Sequence, residues 1–167
     1  MTLEKVREVG PPQGLSRWLY RAPITLYRLG LGGLLGSRFL LIEHRGRVSG
    51  LERRAVVEVL RHDEERETYI VASGFGEGAD WYKNLLATPR ATIQVGRRRL
   101  AIVASPLPVE AREREMVDYG ARNPAAARFV AKLLGYRHDG SEEDLRALGR
   151  VLPLLALESE KEAPARV

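Results

Sequence analysis

The chain has no cysteine, which excludes disulfides, thiolate metal ligands and thiol nucleophiles. Any redox chemistry must therefore come from a bound cofactor. Histidine is almost as scarce. His44, His62 and His138 are the three present, none at ligand spacing from another, and neither a GxSxG elbow nor an HExxH helix accompanies them. The expectation is a protein with no metal site and no hydrolase triad. No stretch approaches the roughly 18 uninterrupted apolar residues of a spanning helix, because Arg28 and Arg38 interrupt the longest apolar region. The first residues, MTLEKVREVGPPQG, contain acidic side chains and no apolar core segment, so they read as no secretory signal and a cytoplasmic protein is expected. Aromatic residues number only 11 and do not interleave with basic ones as stacking platforms do, which argues against a nucleic-acid binder.

What is abundant is arginine, which supplies 23 of the 27 basic residues in a chain of formal charge +5. Guanidinium groups bind planar anions bidentately, so phosphate, carboxylate or an anionic lipid surface are the partners this bias favours. With 167 residues the chain is expected to form one domain. It should span residues 16–158, after a flexible leader over 1–15 that GPPQG closes and before a disordered tail over 159–167.

Periodicity divides that domain. Residues 16–35 carry an apolar stripe (Tyr20, Ile24, Tyr27, Leu31, Leu34, Leu35) beside a basic one (Arg17, Arg21, Arg28). This pattern predicts an amphipathic helix that can lie on a membrane surface or pack on the domain. RFLLIEH (38–44), RAVVEVLRH (54–62) and TYIVAS (68–73) read as a three-stranded meander, and ATIQV (91–95) with RLAIVASPL (99–107) as a hairpin about Gly96. Asp80 is expected to cap a short helix ending at Pro89. Three further helices follow over 108–151, and VLPLLALE (151–158) reads as a last strand that Pro153 confines to an edge. Short strands without βαβ alternation indicate an antiparallel sheet or small barrel within an α+β fold.

Two glycine-rich segments could carry chemistry. GRVSGLERR sets Gly46, Ser49 and Gly50 among Arg45, Arg47, Arg53 and Arg54. It is either a solvated hairpin or a turn that offers backbone N–H groups and guanidinium forks to a phosphate. ASGFGEGADWYKN runs from a strand through Gly74, Gly76 and Gly78 into a helix on which Trp81 and Asn84 share a face.

Together, and in this order, the segments resemble the deazaflavin-dependent nitroreductase family, whose members share GR-x-SG-x-x-R, then VAS, a glycine loop and W-x-x-N-L-x-A-x-P. The matching residues are Gly46, Arg47, Ser49, Gly50 and Arg53, then Val71 to Gly74 and Gly76, then Trp81, Asn84, Leu85, Ala87 and Pro89. The resemblance implies a split β-barrel of the FMN-binding kind, flanked by an N-terminal amphipathic helix and C-terminal helices. It also implies coenzyme F-420, an 8-hydroxy-5-deazaflavin, as cofactor. The implied activity is hydride transfer to a small electron acceptor: a quinone, an enone or a nitro compound. On that resemblance the turn at Arg47, Ser49, Gly50 and Arg53 holds the phosphate and acidic tail, Arg54, Ala55, Val56 and Val57 with Ala72, Ser73, Gly74, Phe75 and Gly76 line the ring, and Trp81 and Asn84 close the pocket. No residue is expected to act as nucleophile. The alternative is a non-catalytic carrier of FMN, haem or another tetrapyrrole on the same barrel. A homodimer and peripheral membrane contact through residues 16–35 are compatible with either. Gly74 stands where many members have lysine, and NPAAARF where the best-studied nitroreductases have tyrosines, so the acceptor pocket departs from the family pattern.

Overall fold

The computed structural model describes residues 3–5, 24–25, 28–29, 33 and 36–160. The leader, most of the 16–35 segment with its expected helix and membrane contact, and residues 161–167 lie outside the described residues. Within them, six strands close a barrel: β2 (Phe39–Arg45), β3 (Glu52–Asp63), β4 (Thr68–Ala72), β5 (Arg90–Val95), β6 (Arg98–Pro106) and β8 (Leu154–Ser159), in the order β2-β3-β4-β8-β6-β5 and antiparallel throughout. A short ribbon pairs β1 (Glu4–Lys5) with β7 (Tyr136–Arg137). Helix α1 (Asp80–Ala87) lies between β4 and β5; α2 (Val109–Arg122), α3 (Pro124–Leu133) and α4 (Glu142–Val151) follow β6. The meander and the hairpin fall where the alternation predicts them.

Alternation explains the barrel. On β2 the side chains of Leu40, Ile42 and His44 are buried on one face, and in register across from them stand Val57, Ala55 and Arg53 of β3. These two rows therefore run from aliphatic core at one end to polar groups at the other. β3, 12 residues long, pairs with β2 along Glu52–Glu58 and with β4 along Val59–Asp63, and its register against β4 shifts between Val59 and Arg61, the kind of irregularity that bends a strand around a barrel. Gly96, at φ +57°, opens the two-residue β5–β6 connection, where a positive φ matches strand twist.

Two expectations need correction. β8 is not an edge strand: it pairs with β4 on one side and β6 on the other. Pro153 precedes it, so the missing N–H removes no ladder bond, and the Pro153 carbonyl accepts the Ser73 N–H at 3.0 Å. Asp80 is not the cap of α1. Ala79 occupies that position without a side-chain hydrogen bond, and Asp80 is the first helical residue.

Two apolar clusters share the sheet. Leu40, Ile42, Val71, Ile93, Ile102 and Leu157 fill the barrel. Leu60, Ile70 and Leu154, on the outer face, meet Met116, Leu148 and Leu152 of the helical layer. Full burial of such side chains contributes about 1.5–3 kcal/mol each. α2 and α4 approach at backbone distance: a Cβ on Gly149 would sit 2.7 Å from the Arg112 carbonyl oxygen and from Glu113 Cα. Ser141 caps α4 by accepting the Asp144 N–H at 3.2 Å.

Candidate functional site

The turn joining β2 to β3 closes on itself. Gly46 N–H donates to Leu51 O and Gly50 N–H to Gly46 O, both at 2.8 Å. Gly50 sits at φ +67°, where a side chain would be strained, and a Cβ on Gly46 would stand 2.7 Å from Ser49 Oγ. Ser49 Oγ in turn accepts the Leu51 N–H at 3.3 Å. Both glycines and the serine thus shape the turn, while the N–H groups of Val48 and Ser49 meet no partner among the described residues.

Arg47 ties this turn to α1. Its backbone N–H donates to Asn84 Oδ1 at 3.0 Å and its guanidinium to the same oxygen at 2.9 Å. A second guanidinium nitrogen reaches Asp80 Oδ1 at 3.0 Å. Asp80 and Asn84 stand one turn apart on α1, so one arginine can span both. The Asn84 side-chain nitrogen lies 3.2 Å from His44 Nδ1. Arg54 pairs with Glu43 at 3.2 Å and Glu52 at 3.3 Å. The Arg53 guanidinium makes no ion pair or hydrogen bond among the described residues.

These elements enclose an open groove of about 580 Å³ at the polar end of the barrel. Of the residues expected to form a site, Arg47, Ser49, Arg53, Arg54, Ala55, Phe75, Trp81 and Asn84 line it. Gly50, Val56, Val57, Ala72, Ser73, Gly74 and Gly76 do not, for two reasons. Pleating sends Val57 into the barrel core and turns Val56 to the opposite face, beside Leu41. Ser73 is fully buried, donates its hydroxyl to Gly76 O at 2.6 Å, and so shapes the loop from which Phe75 reaches the wall. The Gly76 N–H is engaged by Ser73 O at 2.9 Å. His44, Gly46, Val48, Ala79 and Asp80 also line the groove without having been singled out as site residues. For His44 a signal existed: it continues the inward row of Leu40 and Ile42.

Burial, and then the Arg53 charge, lower the His44 pKa from its ordinary 6.5 to about 4 against an opposing pull from Asp80. The imidazole is neutral at pH 7. The late tyrosines stay away from the groove. Tyr119 on α2 is buried and donates to Glu58 Oε1 at 2.8 Å, and burial followed by that hydrogen bond pushes its phenol well above the ordinary value. Tyr136 packs in the helical layer. Among the described residues no cluster of three or more His, Asp or Glu could hold a metal ion, and no helix is long and apolar enough to cross a membrane.

The fold recurs in solved structures. An F-420-H2-dependent reductase, FDR-A, superposes with TM-score 0.51 over 72% of this chain and 94% of its own, at 21% identity. The haem storage protein HutZ of Vibrio cholerae gives TM-score 0.52 over 81% of this chain and 90% of its own, at 13% identity. Likeness at such identities establishes the split-barrel architecture and leaves activity to the sequence. A Mycobacterium tuberculosis protein, provisionally named an F-420H(2)-dependent quinone reductase, is 39% identical over 83 residues, which is 47% of this chain and 68% of that protein. The model of the F-420H(2)-dependent quinone reductase family matches residues 20–130, a span that contains the arginine turn, the glycine loop and α1. On these matches the chain belongs to the F-420H(2)-dependent quinone reductase family, a family of oxidoreductases that use coenzyme F-420.

Proposed function

We propose that the groove between the arginine turn and α1 is the F-420 site, and that the acceptor is a small electron-poor molecule: a quinone first, enones and nitro compounds as further candidates. The observation that carries this reading is the unengaged Arg53 guanidinium beside the open N–H groups of Val48 and Ser49. Donors left without partners at the mouth of a groove suit an anionic tail. The walls fit the rest of the group, since Ala55, Phe75 and Trp81 offer apolar surface to a flat ring system.

When bound, the reduced deazaflavin supplies the hydride, and the protein contributes position and electrostatics. Arg53 and the two amides hold the charged end. Arg47 acts at one remove: its bonds to Asp80 and Asn84 fix the turn against α1 and hold the groove at its width. Trp81 restricts water at the ring. Protonation of the reduced acceptor falls to solvent.

The test is a fluorescence titration of oxidised F-420 and, separately, FMN at two salt concentrations. Tighter, salt-weakened binding of F-420 is expected, with Arg53→Ala weakening it by about 1–3 kcal/mol. Preference for FMN or haem, with no F-420 bound, would move the chain to the carrier reading, for which the HutZ-like fold is the support. Light scattering tests the homodimer, and sedimentation with anionic vesicles tests a membrane role for residues 16–35; a fold relative described as a domain-swapped dimer, with TM-score 0.51, motivates the former.

A further inference from the structure

The hydrogen bonds around Asn84 determine more than its own orientation. Its Oδ1 receives two donors that cannot accept, the Arg47 N–H and the Arg47 guanidinium, at 3.0 and 2.9 Å. The amide cannot be turned over without setting NH2 against N–H. Its nitrogen must therefore face His44, and that nitrogen is itself only a donor. His44 Nδ1, 3.2 Å away, is then an acceptor and carries no proton. A neutral imidazole bears its single proton on the other nitrogen, Nε2, which meets no hydrogen-bond partner among the described residues although the ring lines the groove. Asn84 is 4% exposed and His44 5% exposed, so water competes poorly for the Asn84–His44 bond.

We propose that His44 is a specificity-determining residue of the groove: an uncharged donor held in one tautomer by the chain Arg47–Asn84–His44, presenting Nε2–H to an acceptor oxygen of the bound ligand. The inference deepens the coenzyme reading and rests on it for the identity of that ligand. The oxygen is a carbonyl or phosphate oxygen of the coenzyme or a carbonyl oxygen of the electron acceptor. Either satisfies the donor, and a ligand placing an N–H there is rejected. Charge on the ring is opposed first by burial and then from β3 by Arg53, and favoured from α1 by Asp80, and the outcome is a depressed pKa. The ring also borders a smaller polar pocket carrying Glu43, Arg45, Glu52, Arg90 and Arg99. Of these, Glu43 is engaged by Arg54 and Arg99, and Arg45 by the Gly50 carbonyl.

The first arm of the test needs no ligand. Nitrogen-15 NMR of the imidazoles in the ligand-free chain, with the His44 signals identified by their loss in His44→Phe, should show the His44 ring protonated at Nε2 alone, unchanged from pH 8 to pH 5. A His44 ring protonated at Nδ1, or titrating near 6.5, overturns the proposal. Asn84→Asp supplies a carboxylate that accepts from both sides, so it should move the proton to Nδ1 and raise the pKa; an unmoved tautomer also overturns the proposal. The second arm measures F-420 affinity by fluorescence and quinone KM with His44→Phe, which keeps a ring and removes the donor, and with His44→Gln, which restores an N–H at similar reach. About a tenfold loss of F-420 affinity in His44→Phe, recovered in His44→Gln, places the oxygen on the coenzyme. The same change confined to quinone KM places it on the acceptor. No change in either quantity overturns the contact. Failure of the wild-type chain to bind F-420 sinks the reading of the preceding section, and the NMR arm still decides the state of His44.

Discussion

Two buried ionisable side chains, one at each end of the fold's polar surfaces, are handled differently. Tyr119 lies on the inner side of the helical layer, donates its hydroxyl to Glu58, and packs within the apolar cluster of that layer. His44 lies at the polar end of the barrel, gives its lone pair to Asn84, and turns the rest of its ring to an open groove. Both bonds satisfy a buried polar atom, as they must. The Tyr119 bond registers α2 against β3 and leaves nothing to offer a ligand. The His44 bond leaves a donor over. A buried polar group becomes a candidate for function when its hydrogen-bonding capacity exceeds what the fold consumes and the surplus faces space a ligand can enter.

The comparison breaks most severely in the helical layer. Gly149→Val places side-chain atoms against the backbone of α2 at Arg112 and Glu113, and about 3 kcal/mol of stability should be lost in urea denaturation. F-420 affinity per folded molecule should stay unchanged, because α4 does not border the groove. If affinity falls equally, the two regions are not separable.

Acidification acts from the other side. The folded pKa of His44 is about 4 against an ordinary 6.5, so between those values the unfolded chain binds the extra proton. Stability attributable to this residue is complete above 6.5, falls as pH drops, and levels off below 4. The loss should be about 2 kcal/mol by pH 5 and at most about 3 kcal/mol. Difference denaturation of wild type and His44→Phe checks it: the variant should lack this slope between pH 7 and 5.

Smaller effects sharpen the distinction. Tyr119→Phe removes the donor from Glu58, which keeps Arg38 at 3.3 Å; a loss of about 1–2 kcal/mol with normal coenzyme binding is expected. Arg53→Ala should do the reverse, changing stability by less than about 0.5 kcal/mol, since it makes no described ion pair, while weakening F-420. Thermal melts alongside the fluorescence titration read both quantities from the same samples.

How much of the site was legible follows from the range of the signals. The arginine turn, the glycine loop and the Trp81–Asn84 helix are contiguous motifs, and each falls at the groove because local chemistry dictates a turn, a loop and a helix start there. Val56, Val57, Ala72 and Ser73 were expected at the site from their neighbours in sequence, and the pleat or a tight loop sets them outside the groove walls. His44 continues the inward row of Leu40 and Ile42, yet it went unassigned because that alternation says only that it points inward, and the partner that sets its chemistry stands 40 positions later.

By itself the sequence determined the six barrel strands, the helices between residues 80 and 151, the absence of thiol chemistry and the motifs that mark the family, since periodicity, turn residues and composition act over a few residues at a time. Only the tertiary structure decided that β8 closes the barrel, that Arg47 holds α1 while Arg53 stays open, and that Asn84 sets the proton on His44. Those outcomes depend on which atoms meet across the barrel, and the folded chain alone specifies those distances.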